Sequence, residues 1–289
     1  MFPVRDIIFN RIDYCMRRIM LFSALVLLPN IIVLSQTYNE LCDRSIAAVN
    51  QDSLVQAEQY IRQALALEPA NVHNALLFSN LGTIQRRQGH YDDAAKSFAY
   101  ALNIAPLSVP ILLNRASLFL ELGKNELARA DYSLVLDREK NNREALLMRA
   151  YIDVKARNFR SARMDYDSLL KEHPLDYSGR FGLANLEQAD GRPSQALDIL
   201  NKMLVGNPED AALYIARAGV ERDLKHDDLA LIDLETALKL NTSQADAYLM
   251  RGQIYLDQKK REQAKRDFEK AISLGISPAD LKDLLRQCR

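Results

Sequence analysis

The chain has 289 residues, carries 38 lysines and arginines against 38 aspartates and glutamates, and lacks tryptophan. A formal charge of zero leaves no long-range field to draw a polyanion, so nucleic acid is set aside as a partner class. Length alone predicts about two domains, an estimate that a repeat array escapes because its core grows in one dimension.

The first segment reads as an address. Met16, Arg17 and Arg18 precede the apolar run "IMLFSALVLLPNIIVLS", which Pro29 and Asn30 interrupt and which closes on Val33 and Ser35 before Gln36. That layout is a cleaved signal. An uncleaved membrane anchor through residues 19–34 is the other reading, and the run is short for the ~20 apolar residues of a spanning helix. Arg5, Arg11, Arg17 and Arg18 all precede the run, so either way the rest of the chain faces away from the cytoplasm. The expectation is a periplasmic or envelope-associated protein, or one anchored in the inner membrane facing the periplasm. Residues 1–35 are therefore set apart as signal or anchor with an upstream extension, and Met16 is a candidate start.

From residue 38 onward the chain repeats with a period of thirty-four. Blocks fall at 38–71, 75–108, 109–142, 143–176, 177–210, 211–244 and 245–278, with Val72 to Asn74 inserted after the first. Position 20 of every block is alanine: Ala57, Ala94, Ala128, Ala162, Ala196, Ala230 and Ala264. Position 8 is always small, from Ser45 and Gly82 through Ala116, Ala150, Ala184 and Ala218 to Gly252. Apolar residues recur twice per block at helical spacing, and Gly89, Gly123 or Gly191 parts the two runs at position 15, where a helix end calls for the left-handed conformation. Each block is thus predicted to be helix, turn, helix, with the small residues letting the two backbones approach. Pro69, Pro106, Pro174 and Pro208 end the second helix, while Ser108, Asn142, Asp176 and Asp210 are placed to cap the next. After the last block, Ser277 and Pro278 predict a capping helix over 278–289 whose Leu281, Leu284 and Leu285 cover the end of the array. Cys42 and Cys288 then lie at opposite ends of the array, beyond the ~4.4–6.8 Å Cα separation of a disulfide.

With small residues at 8 and 20 and an aromatic at 24 in Phe98, Tyr132, Tyr166 and Phe268, these blocks resemble tetratricopeptide repeats (TPR), here in an exported protein of bacterial type. The resemblance implies an all-α, right-handed superhelical solenoid of about seven repeats, whose first helices line a concave groove. At position 5, reaching into that groove, stand Leu113, Leu147, Phe181, Ile215 and Leu249, with Leu120, Tyr151 and Asn185 added from positions 12 and 9. These eight form the expected partner groove, suited to a peptide or amphipathic helix of another protein. Packing between neighbouring first helices accounts for the position-5 side chains equally well. The subgroup that clamps C-terminal carboxylates is not indicated, because Ser79, Leu113 and Leu147 stand where basic partners are wanted.

Arginine at position 7 and aspartate at position 23 occur together four times, as Arg115/Asp131, Arg149/Asp165, Arg217/Asp233 and Arg251/Asp267. In block 177–210 both are replaced at once, by Leu183 and Ile199. This covariation within one chain predicts structural ion pairs tying the two helices of a block, in preference to an arginine ladder for an anionic ligand.

Nothing in the sequence assembles a catalytic constellation. His90 and His226 fall in turns, His173 just precedes Pro174, no spacing suggests zinc, and no glycine-rich phosphate loop appears. The expectation is a scaffold or adaptor with no cofactor, no metal and no enzymatic activity. The alternative is a membrane-tethered structural or assembly component of the cell envelope.

Overall fold

The computed structural model describes residues 37–288, and the signal or anchor expected over 1–35 lies outside them. Regular structure among the described residues is entirely helical: α1 (Tyr38–Asn50), α2 (Leu54–Leu67), α3 (Asn74–Arg87), α4 (Tyr91–Ile104), α5 (Val109–Glu121), α6 (Asn125–Arg138), α7 (Arg143–Lys155), α8 (Phe159–Glu172), α9 (Tyr177–Ala189), α10 (Pro193–Gly206), α11 (Ala211–Asp223), α12 (Asp227–Leu240), α13 (Ala245–Asp257), α14 (Arg261–Ser273) and α15 (Lys282–Gln287). The chain divides into two compact units, one ending at Leu118 and the other beginning at Phe119. In the first unit α1 packs on α2 and α3 on α4; in the second, α7 packs on α8, α9 on α10, α11 on α12 and α13 on α14.

The turn inside each helical pair is built the same way every time. The amide N–H of position 16 donates to the carbonyl of position 11, from Ser53 to Ala48 (2.8 Å), His90 to Gln85 (2.8 Å) and Lys124 to Phe119 (2.8 Å) through to Lys260 and Tyr255 (2.8 Å). Such a six-to-one closure forces the residue between into the left-handed region. Gly89, Gly123 and Gly191 adopt it with φ of 79°, 68° and 74°, as their position predicts. In the other four repeats the same place is held by Asp52, Arg157, Lys225 and Lys259, with φ between 57° and 65°. A side chain there costs about 1–2 kcal/mol. The closure, by satisfying helix-end groups and aiming the second helix back onto the first, prevails over that local preference.

The alanines at position 20 are all fully buried. In blocks 75–108 and 245–278 position 8 meets position 24 where the two helices cross. A Cβ on Gly82 would come within 2.9 Å of the Phe98 ring, and one on Gly252 within 2.7 Å of the Phe268 ring. Phe98 and Phe268 thus leave room only for glycine at position 8, whereas Ala184 and Ala218 accompany the smaller Leu200 and Leu234, and Ala150 accompanies Tyr166, whose ring is directed at Gly182 of the next repeat. Of the expected caps, Asn142 accepts from the Ala145 amide at 3.0 Å, Asp176 from Gly179 at 2.7 Å and Asp210 from Ala212 at 2.9 Å.

The end of the chain departs from expectation in one respect. The capping helix begins at Lys282 and not at Pro278, because residues 278–281 form a turn in which Ser277 Oγ accepts from the Ala279 amide at 3.3 Å. Leu281 and Cys288 still bury themselves against Ala264, Phe268 and Ala271, with Leu284 and Leu285 partly covered beside them.

Candidate partner-binding site

Three of the position-7 arginines meet their position-23 aspartates in paired hydrogen bonds. Arg149 donates through Nε and NH2 to Asp165 at 2.8 and 2.7 Å, Arg217 to Asp233 at 2.8 and 2.6 Å, and Arg251 to Asp267 at 2.8 and 2.8 Å. The aspartates are buried, and the hydrogen bonds raise the arginines above their ordinary values. Arg115 and Asp131 belong to different units, and Asp131 is buried. These cations are engaged inside the fold and do not form a ladder for an anionic ligand.

A second set of buried pairs runs between repeats at a spacing of twenty-four. Arg129 of α6 donates to Asp153 of α7 at 2.6 Å, and Arg163 of α8 donates to Glu187 of α9. Burial alone would push the Asp153 carboxyl up, but hydrogen bonds from Arg129, Ser161 and Asn158 outweigh it and hold the group below the usual carboxylate range. The sequence reading followed only the spacing within a block and missed these pairs. Their signal was present, as arginine at position 21 followed by an acid at position 11 of the next block.

In the second unit the first helices stand side by side, α7 beside α9 and α11 beside α13, and two cavities open along them. One, about 440 Å³, is lined by Leu147, Met148, Tyr151, Val154, Tyr177 and Phe181 among others, with Asn185 at its edge. The next, about 530 Å³, shares Phe181 and Asn185 and continues past Gln188, Ile215, Leu249 and Gln253. Six of the eight expected groove residues therefore come together: Leu147, Tyr151, Phe181, Asn185, Ile215 and Leu249. Leu113 belongs to the first unit, and Leu120, half-buried on α5, lines neither cavity.

The position-5 side chains have two faces. Leu147, Phe181, Ile215 and Leu249 each pack partly against a core cluster and turn their remaining surface to the cavities. Tyr151 is 44% exposed, with the Lys155 ammonium 4.5 Å from its ring centroid. Tyr177 escaped the sequence reading: its ring stacks on Phe181 at 6.1 Å, and its hydroxyl donates to Asp210 at 2.6 Å. Burial, together with that hydrogen bond, pushes the Tyr177 phenol far above its ordinary value. The four-residue spacing from Tyr177 to Phe181 on one helix is the signal that could have found it. Among the described residues no cluster of histidine, cysteine or carboxylate side chains is arranged to hold a metal.

A tetratricopeptide repeat family model matches residues 79–144 and 147–212, and a second tetratricopeptide repeat model matches 245–274. The chain belongs to the tetratricopeptide repeat family, an all-α solenoid class whose members serve in protein–protein interaction. A tetratricopeptide repeat protein from Parabacteroides merdae ATCC 43184, known from its crystal structure, is similar at 35% identity with a TM-score of 0.78, covering 88% of this chain and 99% of that one. RNA polymerase II-associated protein 3 of Rattus norvegicus is 26% identical over 53% of this chain and 22% of its own length. DnaJ homolog subfamily C member 7 of Homo sapiens is 30% identical over 39% of this chain and 23% of its own length. The chain thus spans less than a quarter of the curated relatives it matches.

Proposed function

We propose that the chain is a non-catalytic adaptor that takes up a peptide or amphipathic helix of another protein along α7, α9, α11 and α13. The observation that carries this reading is the pair of cavities joined at Phe181 and Asn185, apolar at one end and edged with amide side chains at the other. A few desolvated aromatic and aliphatic anchors dominate most interfaces, and Tyr151, Phe181 and Leu147 supply such a centre. Asn185 and Gln188 are placed to bond a ligand backbone.

The test is photo-crosslinking from position 151 of the full chain, followed by binding assays with the captured protein in purified form. Tyr151→Asp should weaken that binding at least tenfold with helicity unchanged, since close to half of the residue is exposed and it belongs to no core cluster among the described residues. Phe181→Asp should abolish it, with some loss of stability because the ring also packs on the core. Unchanged affinity in both variants removes the groove from consideration.

The apolar run of the N-terminal segment supports export of the repeats, released into the periplasm or held at the envelope. Among the described residues no helix is long and apolar enough to cross a membrane. Mass spectrometry of the mature chain decides between the two fates: a terminus at Gln36 means release, an intact run means a tether and favours the structural role.

A further inference from the structure

The two cavities continue into a third, of about 350 Å³, which shares Gln188, Gly219 and Met250 with the second and is otherwise lined by Arg222, Asp223, Lys225, Asp227 and Asp257. One path therefore runs from Leu147 and Tyr151 on α7 to Asp257 at the end of α13, and its character changes along the way. At the α7 end the lining is aliphatic and aromatic, and its only charge is Lys155 at the lip. Across the second and third cavities four carboxylates, Asp223, Asp227, Asp246 and Asp257, face two bases, Arg222 and Lys225. One of those bases is already engaged: Arg222 donates to Gln253 at 2.9 Å and lies 3.7 Å from Asp257. Asp223 accepts a hydrogen bond of 2.7 Å from Gln188 and is otherwise exposed.

We propose that the occupant of this path is an extended segment of another protein, bearing a large apolar side chain that seats between Tyr151 and Phe181 and, further along, a lysine or arginine that faces Asp223 and Asp257. The inference rests on the peptide-groove reading and adds a polarity to it. An acidic residue at that second place would meet a surplus of negative charge and be repelled, whereas a base is drawn to it. Amides at Asn185, Gln188, Gln244 and Gln253 edge the stretch between the two ends, suited to main-chain groups of an extended segment and indifferent to its side chains.

The experiment uses the full chain and fluorescein-labelled twelve-residue peptides carrying a Phe-Leu anchor. This anchor is followed at spacings of two to eight residues by Lys-Arg, Ser-Ser or Glu-Asp, and anisotropy is read at low and high salt. The expected result is that the best Lys-Arg spacing binds about fivefold to tenfold tighter than Ser-Ser, that Glu-Asp binds weakest, and that the preference fades at high salt, as it must for charges facing solvent. The double variant Asp223→Asn, Asp257→Asn should erase the preference while retaining the anchor-dependent binding, and Tyr151→Ala should weaken all three series together. If the three series bind equally, or Glu-Asp binds best, the polarity is overturned and the groove reading stands. If no series binds, both fall.

Discussion

Removing one arginine tests whether the buried charges of the repeats are pairs. The Asp165 side chain is 6% exposed and that of Arg149 is 23% exposed, and the two share hydrogen bonds of 2.8 and 2.7 Å. Arg149→Leu leaves a carboxylate with neither water nor a guanidinium, an arrangement that costs about 3–5 kcal/mol. Asp165→Ile is milder, about 1–2 kcal/mol, because the orphaned guanidinium keeps its partial exposure and its 3.2 Å contact with Ser133 Oγ. The double variant copies the block that carries Leu183 and Ile199, both half-buried against core clusters, and should recover most of the loss. Urea titration of the full chain, followed by helicity, reads all four proteins, and the coupling in the cycle should reach about 3–5 kcal/mol. A double variant as damaged as the sum of the singles refutes the pairing.

Three further outcomes follow from the packing. Gly252→Ala should cost about 1–3 kcal/mol by driving a methyl into the Phe268 ring, and Phe268→Leu added to it should restore the thermal midpoint, in imitation of Ala218 with Leu234; a Gly252→Ala protein that melts like the parent sinks the size rule. Lys225→Gly, at a φ of 65°, should gain about 0.5–1 kcal/mol after the chain entropy of glycine is counted, while Gly191→Lys should lose as much; equal denaturation midpoints in both variants and the parent would falsify the strain argument. Burial pushes the Tyr166 phenol from 10.0 to about 12, so the folded state keeps a proton that the unfolded chain has released, and stability present below pH 10 should decline as the pH rises toward 12. Tyr166→Phe should flatten that decline in denaturant titrations across the alkaline range, and a slope as steep as the parent's rules the tyrosine out.

Much of this fold is written in the sequence because the physics that builds it is local and repeated. Alanine at position 20 and small residues at position 8 announce two helices in close contact, and Gly89, Gly123 and Gly191 announce the turn. Lys225 and Lys259 hide the same turn, since their left-handed backbone is imposed by a closure that only the packed pair rewards. The ion pairs within a block were legible because both partners change together, Leu183 with Ile199. Those between blocks left a fainter signal, because Arg129 and Arg163 have no counterpart at Leu197, and the acid alternates between Asp153, Glu187 and Glu221. In the groove, register alone placed Leu147, Phe181, Ile215 and Leu249, but the share of each side chain that packs inward depends on neighbours that no single position reveals.

The inter-repeat pairs bear on how such an array can change length. Arg129 and Arg163 both stand at position 21, and Asp153, Glu187 and Glu221 all stand at position 11 of the block that follows. Loss of block 143–176 by recombination would bring Arg129 opposite Glu187, and loss of block 177–210 would bring Arg163 opposite Glu221. Each junction would again join a guanidinium to a carboxylate, while the pairs inside a block travel with it intact. Either of these two repeats can therefore be removed without stranding a buried charge at the seam, which makes the repeat a unit of change as well as the unit of structure.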